Sequence, residues 1–421
     1  MGWLKASCGL PRHRPSAMVR LHLESRVMAR VPQLHDATRA VHSGEDRHGQ
    51  CAPLTTPITQ ASVFVVPGLD ELRSYAQGER DIYLYSRYGN PTITAVEEKL
   101  AALEAAEAAV LTSSGMSAEL VAALITCKAG DELVSMLDIY GGTLKLFEQV
   151  LSRCGIKTVF VPFGELKNIE RYFTRKTRML FLETPTNPSL RCVDLPALAA
   201  QARRRKICVV ADNTFATPVL QKPLQLGADI VIHSATKFLG GHSDVTAGVL
   251  AGSKRWMDAA REMMILTGGC LDPGCAYLLL RGLKTLDVRV QRACENARRI
   301  AESLRTNRNV KVVYYPGFPG QPSHELARRQ MRDFGMMVSF DIRGGEKSVG
   351  RFIEKLKLWY LATSLGGVES TVSYPLLSSH IGLSPNQLRL LGVSEATVRL
   401  SVGIENADDL IGDLEQALAD R

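Results

Sequence analysis

Short apolar runs alternate with longer amphipathic stretches through the middle of the chain. The runs of strand length begin near residues 108, 132, 157, 179, 207 and 229. Helical stretches such as 93–106 separate them, and the runs are apolar on both faces, which is typical of strands buried in a parallel sheet. The pattern predicts an α/β fold with a mostly parallel sheet, in which ligands bind at the carboxyl ends of the strands.

The pattern changes after residue 275. A long amphipathic stretch, Ala276 to Leu304, is followed by short strands that alternate with helices. The predicted strands are Val310–Tyr314, Met336–Ile342 and Val398–Ile404, and the predicted helices lie near 346–356 and 407–419. We therefore predict a large domain over 93–275 and a smaller C-terminal α+β domain over 276–421.

The N-terminal part has neither pattern. Residues 50–92 are rich in Pro, Thr and Tyr, and we predict an extended arm over 38–92 that crosses another surface. Residues 1–35 hold six Lys and Arg against one Glu, which accounts for +5 of the net charge of +8. We interpret residues 1–37 as a basic, disordered extension or a start-site artefact, with a transit peptide as the alternative. The rest of the chain is close to neutral, so the charge does not indicate nucleic-acid binding.

Composition adds two constraints. The chain has 421 residues, of which 45% are hydrophobic and 22% charged, as in ordinary soluble globular proteins. No apolar run approaches the ~18 residues of a membrane span. The nine scattered cysteines favour a location in the reducing cytoplasm. Cys270 and Cys275 lack the second Cys/His pair of a metal site, so we expect buried thiols there and no metal.

One lysine indicates the chemistry. The run Ile230–Ile232 leads into Ser234, Thr236 and Lys237 before a glycine turn. An ammonium at the end of a buried strand is costly unless it is paired or loses its proton. A Schiff base with pyridoxal phosphate removes that cost, and this cofactor also needs donors for its phosphate and an acid for its ring nitrogen. Asp212, at the end of the preceding run, is available as the acid, although alone it would be an ordinary cap or turn residue.

These residues together resemble the cofactor site of the transsulfuration group of fold-type I pyridoxal phosphate enzymes. The resemblance covers motifs from about residue 38 to residue 420, in the order of the family. The group includes cystathionine γ-synthase, cystathionine γ-lyase, methionine γ-lyase and the homoserine-ester sulfhydrylases. It implies the fold-type I pyridoxal phosphate-dependent transferase fold.

Three further motifs acquire roles from the resemblance. The motif Ser113-Ser-Gly-Met-Ser117 lies where a predicted strand leads through a glycine turn into a helix. Without the resemblance it would be interpreted as a plain helix N-cap. The resemblance implies that Ser114, Gly115 and Met116 bind the phosphate. It also implies that Tyr140 covers the cofactor ring and exchanges a proton with the leaving group, and that Asn187 lies beside the ring oxygen.

The arm ends in the motif Tyr-Ser-Arg…Asn-Pro-Thr at residues 85–92. By resemblance, Tyr85 and Arg87 reach the cofactor phosphate of a neighbouring subunit; alone they would be a surface aromatic and a solvated charge. The family usually has Arg after this motif, where Ile93 stands here. The resemblance thus implies a homodimer with shared sites, and two such dimers in a tetramer.

Two residues near the C-terminus bear on the substrate. Arg399 interrupts an apolar strand, and its guanidinium suits either a substrate carboxylate or a structural pair with Asp or Glu. The resemblance implies the substrate α-carboxylate, with Ser364 beside it. Many enzymes that act on cystathionine carry Glu where Thr363 stands, and methionine γ-lyases generally carry Cys where Gly142 stands.

The resemblance implies an enzyme of sulfur amino acid metabolism in which Lys237 and Tyr140 are catalytic. We expect γ-elimination on L-cystathionine, giving cysteine, 2-oxobutanoate and ammonia, because Gly142 disfavours the methionine-specific branch and Ser-Leu-Gly-Gly at 364–367 resembles the cystathionine enzymes. Cystathionine γ-synthase is the next reading, followed by an O-acylhomoserine sulfhydrylase or a methionine γ-lyase. A catalytically silent pyridoxal phosphate-binding protein, or a binding protein that works through its basic tail, is the alternative from a different class.

Overall fold

The computed structural model describes residues 34–45 and 52–419. The basic segment 1–33 lies outside these residues, so its interpretation stays a prediction. The arm is less uniformly extended than expected, because it contains two helices, α1 (Asp36–His42) and α2 (Leu69–Ala76). The rest of the described arm has almost no regular structure, and several of its apolar side chains are exposed.

A seven-stranded sheet forms the centre of the molecule. Its strands are β1 (Ala108–Thr112), β2 (Glu132–Met136), β3 (Lys157–Val161), β4 (Thr177–Glu183), β5 (Cys208–Asp212), β6 (Ile230–Ser234) and β7 (Gly248–Gly252), in the order β1-β7-β6-β5-β4-β2-β3. All strands run parallel except β7, which is antiparallel to both neighbours. The predicted mostly parallel sheet is confirmed, and β7 was missed because this short run begins and ends in glycine.

Helices cover both faces of this sheet. They are α3 (Pro91–Glu104), α4 (Gly115–Thr126), α5 (Gly141–Lys145), α6 (Leu195–Arg204), α7 (Thr217–Leu220), α8 (Lys254–Thr267) and α9 (Pro273–Leu283). Alternate strand residues enter different cores: Val110 joins the core with α4 and α6, whereas Ala109 and Leu111 join the core with α3 and α9. A π-helix, Leu146–Leu151, continues α5, and a 3-10 segment, Phe163–Tyr172, follows β3.

A second sheet of five strands follows. Its strands are β8 (Val310–Tyr314), β9 (Met337–Ile342), β10 (Tyr360–Leu361), β11 (Thr371–Ser373) and β12 (Thr397–Ser401), in the order β10-β11-β12-β9-β8, and its helices are α10 (Leu286–Thr306), α11 (His324–Gln330), α12 (Glu346–Lys355), α13 (Pro385–Leu391) and α14 (Ala407–Leu418). Residues of α10, β9, β12 and α14 share a third core. The α+β character is as predicted, while the domain boundaries themselves stay predictions.

The predicted helical stretch 276–304 is two helices. α9 ends at Leu283 and α10 begins at Leu286. The buried Arg289, on the first turn of α10, donates from Nη1 to the carbonyl of Phe238 and from Nη2 to that of Gly282, each at 2.8 Å. The break therefore places a cation beneath the turn that carries Lys237. No helix within the described residues is long and apolar enough to cross a membrane.

Candidate active site

A cavity of about 510 Å³ lies at the carboxyl ends of β4, β5 and β6, and β12 of the second sheet also contributes to its wall. Eleven of the predicted site residues line it: Ser114, Gly115, Met116, Tyr140, Asn187, Asp212, Ser234, Thr236, Lys237, Ser364 and Arg399. Because these residues are spread over almost 300 positions, only the fold brings them together. Tyr85 and Arg87 do not line the cavity.

One end of the cavity is suited to an anion. Ser114 caps α4 by accepting a hydrogen bond from Ser117 N at 3.2 Å, so the first N–H groups of this 12-residue helix face outward at its positive end. A side chain at Gly115 would place its Cβ 2.9 Å from Cβ of Ser234, so glycine keeps this approach open. Ser234 and Thr236 add hydroxyl groups to the same wall.

Lys237 lies in the middle of the cavity wall. Its Nζ is hydrogen-bonded to Ser364 Oγ, across the boundary between the two sheets. Burial, and secondarily the positive charge of Arg399, lowers the pKa of Lys237 to about 8. An amine with such a pKa loses its proton close to neutral pH, which favours both nucleophilic attack and proton transfer.

The acid predicted at the end of β5 is buried in the cavity wall. Asp212 is 7% exposed, and its Oδ1 accepts a hydrogen bond from Thr214 N at 2.8 Å. Burial raises the pKa of Asp212, although the bonds from Thr214 and the nearby His233 lower it in part. Two more carboxyl groups, Glu119 and Glu183, line the same cavity.

Tyr140 is held by its backbone while its ring stays accessible. Tyr140 N donates to Glu183 Oε2 at 2.8 Å, and the residue is 45% exposed. A side chain at Gly142 would overlap the Tyr140 ring, and its Cβ would lie 3.2 Å from Met116 Sδ. The position of the ring therefore depends on the absence of a side chain at residue 142.

Arg399 pairs with neutral groups. Its Nη1 donates to Asn187 Oδ1 at 2.9 Å and its Nη2 to the carbonyl of Ser364 at 2.8 Å, while Nε has no hydrogen-bond partner among the described residues. The residue is 4% exposed, and burial lowers its pKa to about 10. No Asp or Glu among the described residues forms an ion pair with Arg399, which leaves the guanidinium available for a carboxylate.

The loop that carries Ser364 has a strained backbone. Ser364 has a φ of 76°, a left-handed conformation that non-glycine residues seldom adopt. The next turn is fixed from β12, where Ser401 Oγ accepts from Gly366 N at 2.8 Å. This conformation directs the Ser364 hydroxyl to Lys237 and its carbonyl to Arg399.

The sequence patterns missed part of the wall. The missed lining residues include Glu119, Thr214, Phe215, Thr246, Leu377, Ser378 and Ser379. Thr214 and Phe215 directly follow Asp212 and could have been found by extending that strand end. Glu119 lies in an apolar helix, where an isolated acid was the available signal. Ser378 and Ser379 belong to an irregular loop that gives no periodic signal.

Tyr85 and Arg87 form a cluster elsewhere on the chain. Arg87 Nη1 donates to the carbonyl of Ile265 at 2.8 Å, and its guanidinium lies over the rings of Tyr85 and Tyr88. Their predicted role at the site of a neighbouring subunit stays a prediction. Cys270 and Cys275 are half-buried and free, not buried as predicted, and no group of three His, Cys, Asp or Glu within 34–45 and 52–419 is arranged for a metal ion.

The sequence model of one protein family, the Cys/Met metabolism PLP-dependent enzymes, matches residues 37–419 of this chain. The chain belongs to this family. Similar proteins include an L-methionine γ-lyase of Fusobacterium nucleatum subsp. polymorphum, 42% identical over 90% of this chain and 97% of that protein, and the cystathionine γ-lyase of Bacillus subtilis, 42% identical over 90% and 98%. The chloroplastic cystathionine γ-synthase 1 of Nicotiana tabacum is 40% identical over 91% of this chain and 72% of that protein.

The fold is that of the same family. The crystal structure of metB from Corynebacterium glutamicum superposes with a TM-score of 0.86 at 39% identity, covering 92% of this chain and 98% of that one. The large mixed sheet is therefore that of a fold-type I enzyme, as predicted, and pyridoxal 5'-phosphate is the cofactor. A small-molecule amino-acid substrate is consistent with this family.

The residues of the cavity fit this cofactor. The N-terminal end of α4, together with Ser234 and Thr236, offers donors for a phosphate. Lys237 offers an amine for the aldehyde, and Asp212 offers a carboxylate for the ring nitrogen. These three requirements are met by chemically different parts of one wall. The relatives' names divide among three reactions, so the family alone does not select one.

Proposed function

We propose that this enzyme catalyses γ-elimination on L-cystathionine, giving cysteine, 2-oxobutanoate and ammonia. The observation that carries the proposal is the close approach of the Tyr140 ring to Gly142, which leaves no room for a side chain at residue 142. Methionine γ-lyases generally have a cysteine at this position, and here such a side chain would displace the Tyr140 ring. Thr363, which lines the cavity, stands where many enzymes that act on cystathionine carry Glu.

Bound pyridoxal phosphate supplies an electron sink for negative charge at the substrate's Cα and Cβ. In the proposed reaction Lys237 would hold the cofactor, and its amine would remove and return protons at these two carbons. Asp212 keeps the ring nitrogen protonated, and Arg399 holds the α-carboxylate. Tyr140 donates a proton to the sulfur that leaves the γ carbon. Ser364 orients Lys237, and Asn187 orients Arg399.

The same residues would also serve a reaction in which an incoming thiol replaces the γ substituent. Cystathionine γ-synthase activity is therefore the second candidate, supported by the 40% identity to the tobacco enzyme of that name. An O-acylhomoserine sulfhydrylase and a methionine γ-lyase are the remaining alternatives.

The test is a product analysis of the purified enzyme. Cystathionine, methionine and acylated homoserines are each supplied, with and without cysteine or sulfide. We expect 2-oxobutanoate and cysteine from cystathionine. Pyruvate with homocysteine would contradict γ-cleavage, faster turnover of methionine would place the enzyme with the methionine γ-lyases, and cystathionine made from an acylhomoserine and cysteine would make it a synthase. No turnover of any of them would support a silent cofactor-binding protein.

We also propose that the active unit is a dimer with shared sites, and that two dimers form a tetramer. The arm exposes Leu54, Val63, Val65 and Leu69, which are 67–98% exposed in the single chain. Such a run of apolar side chains on an arm without its own core is typical of a subunit interface. Arg87 and Tyr85 lie on this arm, away from the cavity of their own chain.

Mixing two inactive variants tests the shared site. Arg87→Ala and Lys237→Ala subunits are dissociated and reassociated together. In a mixed dimer both lesions fall on one site and the other site is intact, so activity should return to about a quarter of the wild-type level for random pairing. If mixing restores nothing, each subunit completes its own site.

The location of the enzyme follows as a further proposal. Seven cysteines within the described residues are free, and four of these are buried. Free thiols are retained in a reducing compartment, so we propose the cytoplasm. Cell fractionation that places the enzyme with secreted or membrane proteins would contradict it.

A further inference from the structure

Glu119 is an acid within the cofactor cavity that the proposed reaction does not use. It lies on α4, four residues after Gly115 and therefore on the same face of the helix, and it lines the cavity. Its neighbours on α4 are mostly apolar, and the residue is 4% exposed. A carboxyl group buried to this degree needs a partner or a proton.

The contacts of Glu119 satisfy only one of its oxygens. Oε1 accepts a hydrogen bond from Thr143 Oγ1 at 2.8 Å. Oε2 is buried and has no hydrogen-bond partner among the described residues. The cavity contains two cations, but Lys237 is bonded to Ser364, and Arg399 to Asn187 and the Ser364 carbonyl. Neither neutralises Glu119 by a direct bond.

Three buried carboxyl groups line this cavity, and they cannot all be ionised without cations beside them. Asp212 accepts Thr214 N and has His233 nearby. Glu183 accepts Tyr140 N and the backbone N–H of Asn187, although burial and then the charge of Asp212 still raise its pKa well above its usual value. Glu119 accepts only a neutral hydroxyl. Burial, and then the charge of Asp212, raises the pKa of Glu119 well above its usual value.

We propose that Glu119 is a positioning residue of the cofactor site that stays protonated and supports the ionised form of Asp212. A protonated Glu119 is a neutral acid, so it adds no second negative charge near Asp212. One carboxylate then faces one protonated ring nitrogen, which is the charge balance that the cofactor's electron sink requires. The inference rests on the cofactor, not on the choice of γ-elimination.

Infrared spectroscopy of the holoenzyme tests the protonation directly. The C=O stretching band of a protonated carboxylic acid should be present in the wild type at neutral pH and should lose one component in Glu119→Gln. A difference spectrum that shows instead the loss of a carboxylate band would mean that Glu119 is ionised, and the proposal would be wrong. No substrate is used, so a failure of the proposed reaction does not affect the result.

Cofactor retention tests whether Glu119 acts through Asp212. Glutamine keeps an uncharged donor and acceptor, whereas leucine keeps only the volume. During dialysis of the holoenzymes, followed by visible absorbance, we expect Glu119→Gln to bind pyridoxal phosphate within about threefold of the wild type, and Glu119→Leu to bind it at least about tenfold more weakly. Equal affinity in all three proteins would overturn the proposal.

Thr143→Val provides the matched control. It removes the hydroxyl that bonds Glu119 Oε1 and leaves Oε2 unchanged. If Glu119 served only to hold Thr143, this variant would lose as much affinity as Glu119→Leu, and the proposal would be wrong. We expect a smaller loss. The absorbance band of the bound cofactor should also titrate at the same pH in the wild type and in Glu119→Gln; a shifted titration in Glu119→Gln would indicate a charged Glu119.

Discussion

The two walls of the cavity are built differently. The wall from the large sheet takes Asp212, Ser234, Thr236 and Lys237 from the ends of β5 and β6 or the turn beyond. The wall from the second sheet has one strand residue, Arg399; its other members come from irregular segments at 363–365 and 377–379. The second wall also contains the strained Ser364 and the Nε of Arg399, which has no hydrogen-bond partner within residues 34–45 and 52–419.

We expect this difference to separate the residues that bind the cofactor from those that select the substrate. Strand ends fix side chains rigidly, and every relative must bind the same cofactor. Loops can change without altering the sheet, so they are where substrate choice is expected to lie. We call the wall from the large sheet the cofactor wall and the wall from the second sheet the substrate wall. The relatives are named for three different reactions at about 40% identity, as expected if the cofactor wall is common to them and the substrate wall varies.

The largest effect should come from Lys237 in the cofactor wall. Lys237→Ala removes both the cofactor linkage and the base, so we expect turnover to fall by about 10⁴-fold. Borohydride reduction of the wild type followed by peptide mapping should place the reduced cofactor on Lys237. A reducible bond that persists in Lys237→Ala would show that another lysine carries the cofactor.

Arg399 should give the largest effect in the substrate wall. Arg399→Met removes the buried charge that is proposed to hold the α-carboxylate, and we expect kcat/KM to fall by about 10³-fold with the cofactor still bound. Arg399→Lys keeps the charge but not the paired donors, so it should recover only part of the loss. Steady-state kinetics and the visible absorbance of both variants provide the measurement. Loss of cofactor with equal severity would mean that the two walls do not act separately.

The sequence predicted these two walls unequally. Lys237 and Asp212 were found because buried strands have a clear apolar signal and a charge at their end stands out. Ser364 and Arg399 received their roles only from the resemblance, and the apolar pattern left a structural pair open for Arg399. Ser378 and Ser379 were missed, because long-range packing and not periodicity brings an irregular loop to the cavity. In the fold, β7 and the break at 284–285 were missed for similar reasons: glycine-rich ends weaken the strand signal, and the contacts of Arg289 are tertiary.

A substitution at Gly142, beside Tyr140, should have an effect of intermediate size on turnover. Gly142→Ala places a methyl group against the Tyr140 ring and forces that ring to move. We expect kcat for cystathionine to fall by about 10²-fold, since small displacements of a catalytic group can have effects of this size. Gly350→Ala is the control, because a Cβ there meets nothing within 4 Å. If Gly142→Ala has full activity, the position of the Tyr140 ring is not critical for turnover.

The smallest expected effect concerns the influence of Arg399, in the substrate wall, on the pKa of Lys237, in the cofactor wall. Lys237 has a pKa of about 8, lowered first by burial and then by Arg399. Only the neutral amine attacks the aldehyde, so the rate at which cofactor-free enzyme takes up pyridoxal phosphate should rise with pH and level off above about pH 8. In Arg399→Met the repulsion is absent and the pKa of Lys237 rises, so the plateau moves to higher pH and uptake at pH 7 slows by less than about tenfold. Ser364→Ala removes a hydrogen bond without changing the charge, which separates the two contributions. An unchanged pH profile in Arg399→Met would mean that burial alone lowers the pKa of Lys237. The charge of Arg399 in the substrate wall would then have no effect on the reactivity of this amine.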